Sequence, residues 1–336
     1  MSTYDALLVV SFGGPEGREE VMPFLENVLR GRRVPRERML AVAEHYYAFD
    51  GFSPINGQNK ALIAALEQEL AAHHIDLPIY WGNRNWHPLL PDTMAQMKTD
   101  GIQRALVFLT SAYSSYSNCR QYRENISDAQ ASVGEGAPEI EKLRAFFNHP
   151  GFINTMTARM QEAFGQIPEA RREATSIIYT AHSIPSAMAA GCAYEAQLQE
   201  TARLVSHAMG YDRWSLAYQS RSGAPHQPWL EPDVCDYIKH LHDTEKPQDI
   251  ILVPIGFISD HMEVRYDLDV EARQVSDDLG INMVRASTTG THPRFINMIR
   301  ELIEERLSDA SERQTLGDLS ACPDVCPEDC CLSGSR

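Results

Sequence analysis

Positive charge is scarce in this chain of 336 residues: 30 lysines and arginines stand against 46 aspartates and glutamates, a formal net charge of −16. Phosphate backbones are bound by basic surfaces, so this balance argues against a nucleic-acid partner and suits a protein that handles cations. Long apolar runs are missing as well, and none approaches the ~20 residues that cross a bilayer. The opening Met1-Ser2-Thr3-Tyr4-Asp5 has neither the basic flank nor the apolar stretch of a signal peptide, and a cytosolic protein is expected. Phosphate fingerprints are lacking too. Gly13-Gly14 follows an apolar run, but neither G-x-G-x-x-G nor G-x-x-x-x-G-K-[ST] is completed there, which excludes the commonest nucleotide-binding loops. Cysteine is sparse in the body, with Cys119, Cys192 and Cys235 scattered, whereas Cys322, Cys326, Cys330 and Cys331 crowd the end. In a reducing compartment such crowding points to a metal site rather than a disulfide framework.

The length exceeds that of a usual single core, and two domains are expected. Short β-branched or apolar runs alternate with helical patterns throughout: Ala6 to Val10, Leu77 to Trp81 and Ala105 to Leu109 in the first half, then Ser176 to Tyr179, Trp214 to Tyr218, Ile250 to Val253 and Ile281 to Val284. Helices are expected from near Glu19, up to Tyr47, from Ala61 to His74, near 120–133, 151–165 and 194–209, and from Phe295 to Leu307. Strand–helix alternation of this kind predicts an α/β fold of two Rossmann-like lobes, each a parallel sheet flanked by helices, facing a shared cleft. The expected division is 1–150 and 151–291 for the lobes, with a helix over 292–308 completing the first and a cysteine-rich tail over 309–336. Arg30, Arg32 and Arg33 read as a solvated helix end or as a binder of ligand carboxylates.

Asp249 to Glu271 is the most informative stretch. After the buried strand, Pro254, Gly256 and Ser259 break the chain, Asp260 and His261 follow, and a helical pattern resumes at Glu263. Glu263, Asp267 and Glu271 then fall at i, i+4 and i+8. Like charges at that spacing cost a few tenths of a kcal/mol per pair in an isolated helix. The column is either a solvated acidic face or a run of oxygen ligands for a divalent cation. Its position beyond a strand's carboxyl end, where open α/β sheets bind ligands, favours a site. A second strand end carries Thr180-Ala181-His182-Ser183-Ile184-Pro185.

With T-A-H-S-I-P around His182 and V-P-I-G-F-I-S-D-H-M-E-V leading to Glu263, the chain resembles the ferrochelatases, which insert ferrous iron into a porphyrin. The likeness runs from S-F-G-G-P-E at Ser11 to the final helix and includes S-P-I-N at Ser53, G-N-R-N-W at Gly82 and P-W-L-E-P-D-V at Pro228. It implies that His182 and Glu263 form the inner iron site and share the handling of pyrrole protons, in roles that could be exchanged. Asp267 and Glu271 would continue as an outer path for iron. Phe12, Arg30, His45, Tyr46, Ser53 and Tyr122 resemble positions that contact the porphyrin or its carboxylates. Some relatives carry a tyrosine where this chain has Phe12, and phenylalanine cannot ligate iron.

The Gram-positive type acts on coproporphyrin III and others on protoporphyrin IX; the absence of an apolar lip or anchor favours coproporphyrin III as the expected substrate. The tail resembles that of members binding a [2Fe-2S] cluster, which implies Cys119, Cys322, Cys326 and either Cys331 or Cys330 as ligands, although four thiolates also suit zinc. The likeness further implies a monomer in transient contact with neighbouring haem-pathway enzymes, with no transmembrane segment. A chelatase for cobalt and a sirohydrochlorin-type ring, or a non-catalytic porphyrin carrier, are the rival readings.

Overall fold

The computed structural model describes residues 4–31, 34–223, 226–308 and 312–334; Arg32 and Arg33, read above as part of a solvated helix end or of a carboxylate binder, lie outside them. Two compact units emerge: Met1–Thr110 with Gln121–Leu143 and Ile299–Ser311, and Ser111–Arg120 with Arg144–Met298 and Glu312–Arg336.

The first unit holds β1 (Ala6–Ser11), α1 (Arg18–Val28), α2 (Arg36–Tyr47), α3 (Ile55–Ala72), β2 (Ile79–Asn83), α4 (Leu90–Thr99), β3 (Arg104–Leu109), α5 (Gln121–Val133) and β4 (Glu139–Lys142). Its sheet is parallel, in the order β2-β1-β3-β4. All of β1 is buried, as the central strand of a sheet covered on both faces must be. Two features depart from expectation. Helix α3 starts at Ile55 rather than Ala61, because Asn56 and Asn59, polar and loop-like in sequence, are buried, Asn56 bonding to the Gly14 carbonyl and to Asn83. Strand β4, Glu-Ile-Glu-Lys, has no apolar run; it is an edge strand held by ion pairs from Arg104 and Arg306 to Glu141.

The second unit repeats the plan. It holds α6 (Pro150–Phe164), β5 (Ser176–His182), α7 (Ser186–Ala189), α8 (Tyr194–Met209), β6 (Trp214–Gln219), α9 (Val234–Thr244), β7 (Asp249–Val253), α10 (Met262–Tyr266), α11 (Arg273–Asp278) and β8 (Asn282–Arg285). Its order, β6-β5-β7-β8, matches the first strand for strand, and every pairing is again parallel. Helix α12 (Pro293–Leu307) ends the α/β part of the chain. In both sheets successive connections leave the first strand to opposite sides. A crevice therefore opens at the carboxyl ends of β1 and β3, and another at those of β5 and β7.

The helix expected from Glu263 is interrupted. Five residues of α10 give way to a wide π-type turn, Asp267–Ala272, before α11. The apolar positions explain this. Val264, Leu268 and Ala272 are all fully buried against Ile178, Leu252, Ile238 and Met283, and Ser276 is buried one step further on. Steps of four residues overshoot an α-helical turn by about 40° each, so three of them drift by about 120°. A wider turn absorbs that drift and keeps all four side chains on the core.

Candidate active site

The second crevice gathers the titratable side chains singled out in the sequence. His182 is the last residue of β5, and Glu263 stands in the first turn of α10, which the loop after β7 delivers. Since the side chains one position on from 263, 267 and 271 are in the core, the three carboxylates lie beside that apolar stripe. His182 Nδ1 bonds to the Ser183 carbonyl oxygen and thus carries the ring proton, which leaves Nε2 facing Glu263 Oε1 at 3.6 Å. On the other side of the same carboxylate, His261 Nε2 is 3.8 Å from Glu263 Oε2. The His261 Nδ1 accepts the Glu263 backbone N–H at 3.1 Å, capping α10 and setting the tautomer. Glu263 is thus bracketed by two imidazoles.

Their protonation diverges. Burial opposes charge on His182, but the Glu263 carboxylate, the Ser183 carbonyl and Asp267 outweigh it and hold the ring up at about 9. Burial likewise opposes the Glu263 anion, and the two histidines overcome it, holding that carboxyl down at about 2. At neutral pH the pair is imidazolium and carboxylate. His261 goes the other way: burial lowers it, the charge on His182 adds to this, and Glu263 only partly compensates. One ring is charged and the other neutral, a split typical of groups that trade protons.

Asp267, one turn on, accepts from Ser220 Oγ and, at 3.5 Å, from Gln219 Nε2. Burial and the charges of Glu263 and Glu271 push it up to about 7 against the Ser220 hydrogen bond. Ser220 adopts a left-handed backbone, φ 62°, unusual for a residue with a β-carbon. Gln219, 1% exposed, also donates to the Glu263 carbonyl at 2.7 Å, and its own carbonyl accepts the Ser183 N–H at 2.8 Å. It therefore gauges both halves of the His182–Glu263 pair. Glu271 is raised by burial and by Asp233.

The first unit brings several of the expected porphyrin contacts together. Phe12, just beyond β1, meets Phe24 edge-on at 6.2 Å, and Tyr46 and Trp86 meet the same ring at 5.7 and 6.1 Å. The guanidinium of Arg84 lies 5.7 Å from the Phe12 ring and 4.5 Å from that of Tyr122, with Nε bonded to Asn125. Ser53 is buried, its N–H bonded to the Pro15 carbonyl. Arg30 is exposed and donates to Asn27, whose amide reaches the Asn85 carbonyl. His45 precedes Tyr46 on α2, lowered by burial and by Arg38.

Cys119 sits in a second wide turn, Tyr116–Arg120, where the tail returns to it. Its thiol donates to the Ser115 carbonyl at 3.3 Å and lies near enough to that of Cys331 to raise its pKa, Cys330 Sγ lies 3.4 Å from Cys331 Sγ, and Arg120 donates to the carbonyls of Glu328 and Cys330. Cys322 instead lies against Gln197 and Ser114, at 3.4 and 3.6 Å. These thiols are the right donors for iron–sulfur or zinc. Among the described residues, however, no three His, Cys, Asp or Glu side chains are arranged to hold one metal ion.

Comparison with known proteins decides the family. The ferrochelatase family profile matches residues 4–307. The chain belongs to the ferrochelatase family. It is 58% identical to a ferrochelatase of Rhodopirellula baltica over 99% of this chain and 95% of that one. It is also 48% identical to the coproporphyrin III ferrochelatase of Streptomyces coelicolor over 98% and 94%. The sirohydrochlorin chelatase SirB from Bacillus subtilis subspecies spizizenii, in complex with cobalt, shares the fold at a TM-score of 0.53 and 11% identity, covering 91% of this chain and 97% of that one. As a ferrochelatase the protein is a metal chelatase of the lyase class, with ferrous iron as substrate rather than resident cofactor. Among the described residues no helix is long and apolar enough to cross a membrane.

Within this ferrochelatase, several site residues escaped sequence reading. His261 was visible in D-H-M-E as a neighbour of Glu263 but carried no sign that it would grip the same carboxylate. Arg84 was visible in G-N-R-N-W, as the one cation of a polar strand end. Gln219 and Ser220 had no local signature, because their importance comes from strand pairing with His182.

Proposed function

We propose that the protein inserts ferrous iron into coproporphyrin III, releasing two protons and giving iron-coproporphyrin III, in the cytosol and as a monomer in transient contact with neighbouring haem-pathway enzymes. The observation that carries the site is the approach of His182 to Glu263, with Asp267 and Glu271 behind it on the same ridge. Carboxylate and imidazole suit ferrous iron. Iron passes Glu271 and Asp267 and reaches the ionised Glu263, where its charge displaces the imidazolium proton of His182 to the solvent that reaches the partly open pair. His182, its Nε2 freed of that proton, is then the base that takes the two pyrrole protons in turn and passes each to solvent, while His261, whose Nδ1 accepts the Glu263 N–H, faces the carboxylate through its Nε2–H. The aromatic group around Phe12, Tyr46 and Tyr122 takes the macrocycle, and Arg30, His45 and Ser53 take its carboxylates. A ring held bent exposes its nitrogen lone pairs and lowers the barrier.

The choice of coproporphyrin III is supported by relatives of that name at 47–48% identity over more than nine-tenths of this chain. Anaerobic insertion rates with coproporphyrin III and protoporphyrin IX test it: kcat/KM should be at least tenfold higher with the first. Faster turnover of protoporphyrin IX overturns the choice of substrate, and stoichiometric binding without turnover would make the protein a carrier. His182→Ala should abolish insertion while porphyrin binding, read by fluorescence quenching, persists.

A second reading concerns the tail. We propose that Cys119, Cys322, Cys326 and Cys331, or Cys330 in its place, hold a [2Fe-2S] cluster, a one-electron centre when bound. It is supported by the return of Cys330 and Cys331 to Cys119 and by the bonds of Arg120 to the Glu328 and Cys330 carbonyls. The purified protein should be brown, and Cys119→Ser should bleach it; a colourless protein loaded with zinc refutes the cluster.

A further inference from the structure

Arg285 closes β8, and only 15% of its side chain is exposed. Its guanidinium is committed in several directions. Nε donates to Asp269 Oδ1 and Nη2 to Asp269 Oδ2, the latter at 3.1 Å. Nη1 donates to Asp260 Oδ1 at 3.1 Å and to the Ala286 carbonyl at 3.2 Å. Arg265 Nε, from α10 itself, lies 3.2 Å from Asp269 Oδ2. Asp260 lies just ahead of α10, and Asp269 lies in the wide turn behind it. One guanidinium therefore ties together both flanks of the segment that carries Glu263 and Asp267.

That segment needs the tie. Helix α10 has five residues, too few to hold a helix alone, and the wide turn that follows replaces the α-helical bonds by the rarer π pattern over six residues. Its inner side is held by Val264 and Leu268 in the core. On the polar side, the inner iron pair has supports of its own: Gln219 on the Glu263 carbonyl and the Ser183 carbonyl on His182. In the outer part Asp267 has the Ser220 hydroxyl and the Gln219 amide, and the wide turn that presents Asp267 and Glu271 is tied from behind through Asp269. A planar fork can engage one carboxylate with two nitrogens and a second carboxylate with the third, whereas a lysine ammonium cannot hold both in fixed geometry.

We propose that Arg285 is a positioning residue for iron capture: by bridging Asp260 and Asp269 it keeps the outer carboxylates at the spacing a passing cation requires. The proposal rests on the reading of Glu263, Asp267 and Glu271 as the iron path. Because the inner pair is braced separately, loss of Arg285 weakens capture and spares insertion. Groups that orient metal ligands from behind typically cost 10–100-fold in affinity or activity when removed.

The test is anaerobic iron titration at saturating porphyrin with Arg285→Gln, Asp269→Asn and Arg285→Lys, beside His182→Ala. The expected result is a KM for iron at least tenfold higher in Arg285→Gln and Asp269→Asn, with kcat within threefold and porphyrin affinity within twofold. Arg285→Lys should recover part of the loss. Hydrogen exchange should quicken over 260–272 in Arg285→Gln and not in β5 or β6. Iron kinetics within twofold of the parent in both variants overturn the proposal; if Arg285→Gln does not fold, Asp269→Asn, which keeps the volume and the Asp260 contact, decides alone. Turnover surviving in His182→Ala would instead overturn the site reading, whatever Arg285 does.

Discussion

Glu263→Gln is the most direct perturbation of the site, because it deletes one charge and keeps the shape. In the parent, His182 titrates near 9 instead of 6.5, chiefly because the adjacent carboxylate overcomes the cost of burial. A displacement of that size corresponds to roughly 3 kcal/mol at about 1.4 kcal/mol per pH unit. Both side chains are partly open, 31% and 44% exposed, so water screens the pair and about 1–2 kcal/mol is the coupling to expect. With the charge gone, burial remains and His182 should titrate at or below 6.5. Histidine-labelled protein followed by NMR across pH 5–10 reads this directly: one ring should move its midpoint down by at least one pH unit. A His182 midpoint that stays where it was would show that Glu263 does not set the charge of that ring.

The same pair gives a stability profile whose sign can be worked out. His182 has a folded pKa raised above 6.5, so its contribution is complete below 6.5 and is lost as pH rises through about 9. Glu263 has a folded pKa depressed below 4.5, so its contribution is complete above 4.5 and is lost as pH falls through about 2. The pair therefore stabilises fully between about 4.5 and 6.5 and fades toward alkaline pH. Denaturant midpoints of parent and Glu263→Gln should differ most in that window and converge above pH 9.

Leu268→Ala removes a fully buried side chain from the stripe that orients the carboxylates; a loss of about 3 kcal/mol and a fall in Tm of roughly 6–12 °C are expected by calorimetry, and a change under 1 kcal/mol would contradict its core position. His149, fully buried and held at about 3 by burial and by Arg144, stays neutral in the fold, so its contribution is present above 6.5 and is lost as pH falls below it. By pH 5 the penalty is about 2 kcal/mol. His149→Asn, which can still cap α6 at Gly151, should abolish that part of the acid sensitivity in urea titrations, and an unchanged pH profile counts against it. Ser220→Ala withdraws a hydrogen bond that favours the Asp267 anion, so the carboxyl rises further above about 7. Iron kcat/KM at pH 7 should fall severalfold and recover at pH 8, and a pH-independent loss would point elsewhere.

Much of this arrangement was legible in the residues. The buried strands announced themselves as apolar runs, and the T-A-H-S and D-H-M-E stretches lay where parallel strands end. What stayed hidden depended on contacts distant in sequence. Strand β4 reads as Glu-Ile-Glu-Lys, and only the ion pairs of Glu141 with Arg104 and Arg306 make it a strand edge. The early start of α3 depends on the buried amide of Asn56. The wide turn at Asp267 was implicit in the four-residue spacing of Val264, Leu268, Ala272 and Ser276. Read as an ordinary helix, the stretch has Val264, Leu268 and Val270 as its apolar positions; Val270 is exposed, and Ala272 and Ser276 take the core side instead.

The two sheets share one strand order, and their registers allow corresponding positions to be compared. The last pair of β1 and β2 is Ser11 with Asn83, and the last pair of β5 and β6 is His182 with Gln219. In each sheet the second member is a buried amide that bonds to a segment beside the crevice, Asn83 to Asn56 and the His87 carbonyl, Gln219 to the Glu263 carbonyl and Asp267. Where the second sheet places an imidazole, the first places a serine followed by Phe12. Serine and phenylalanine offer neither a base near neutral pH nor a strong iron ligand, while the rings gathered around Phe24 offer a flat apolar surface. One topology thus carries two different sets of side chains, imidazoles and carboxylates at one crevice and a cluster of aromatic rings at the other, and the difference lies in the side chains rather than the fold. Exchanging Ser11 for histidine would reproduce the strand-end position of His182 without the carboxylate that holds its charge. Ser11→His is therefore expected to create no second iron site, and iron binding at that position in a His182→Ala background would refute the view that Glu263 and its supports, rather than the imidazole alone, make the site.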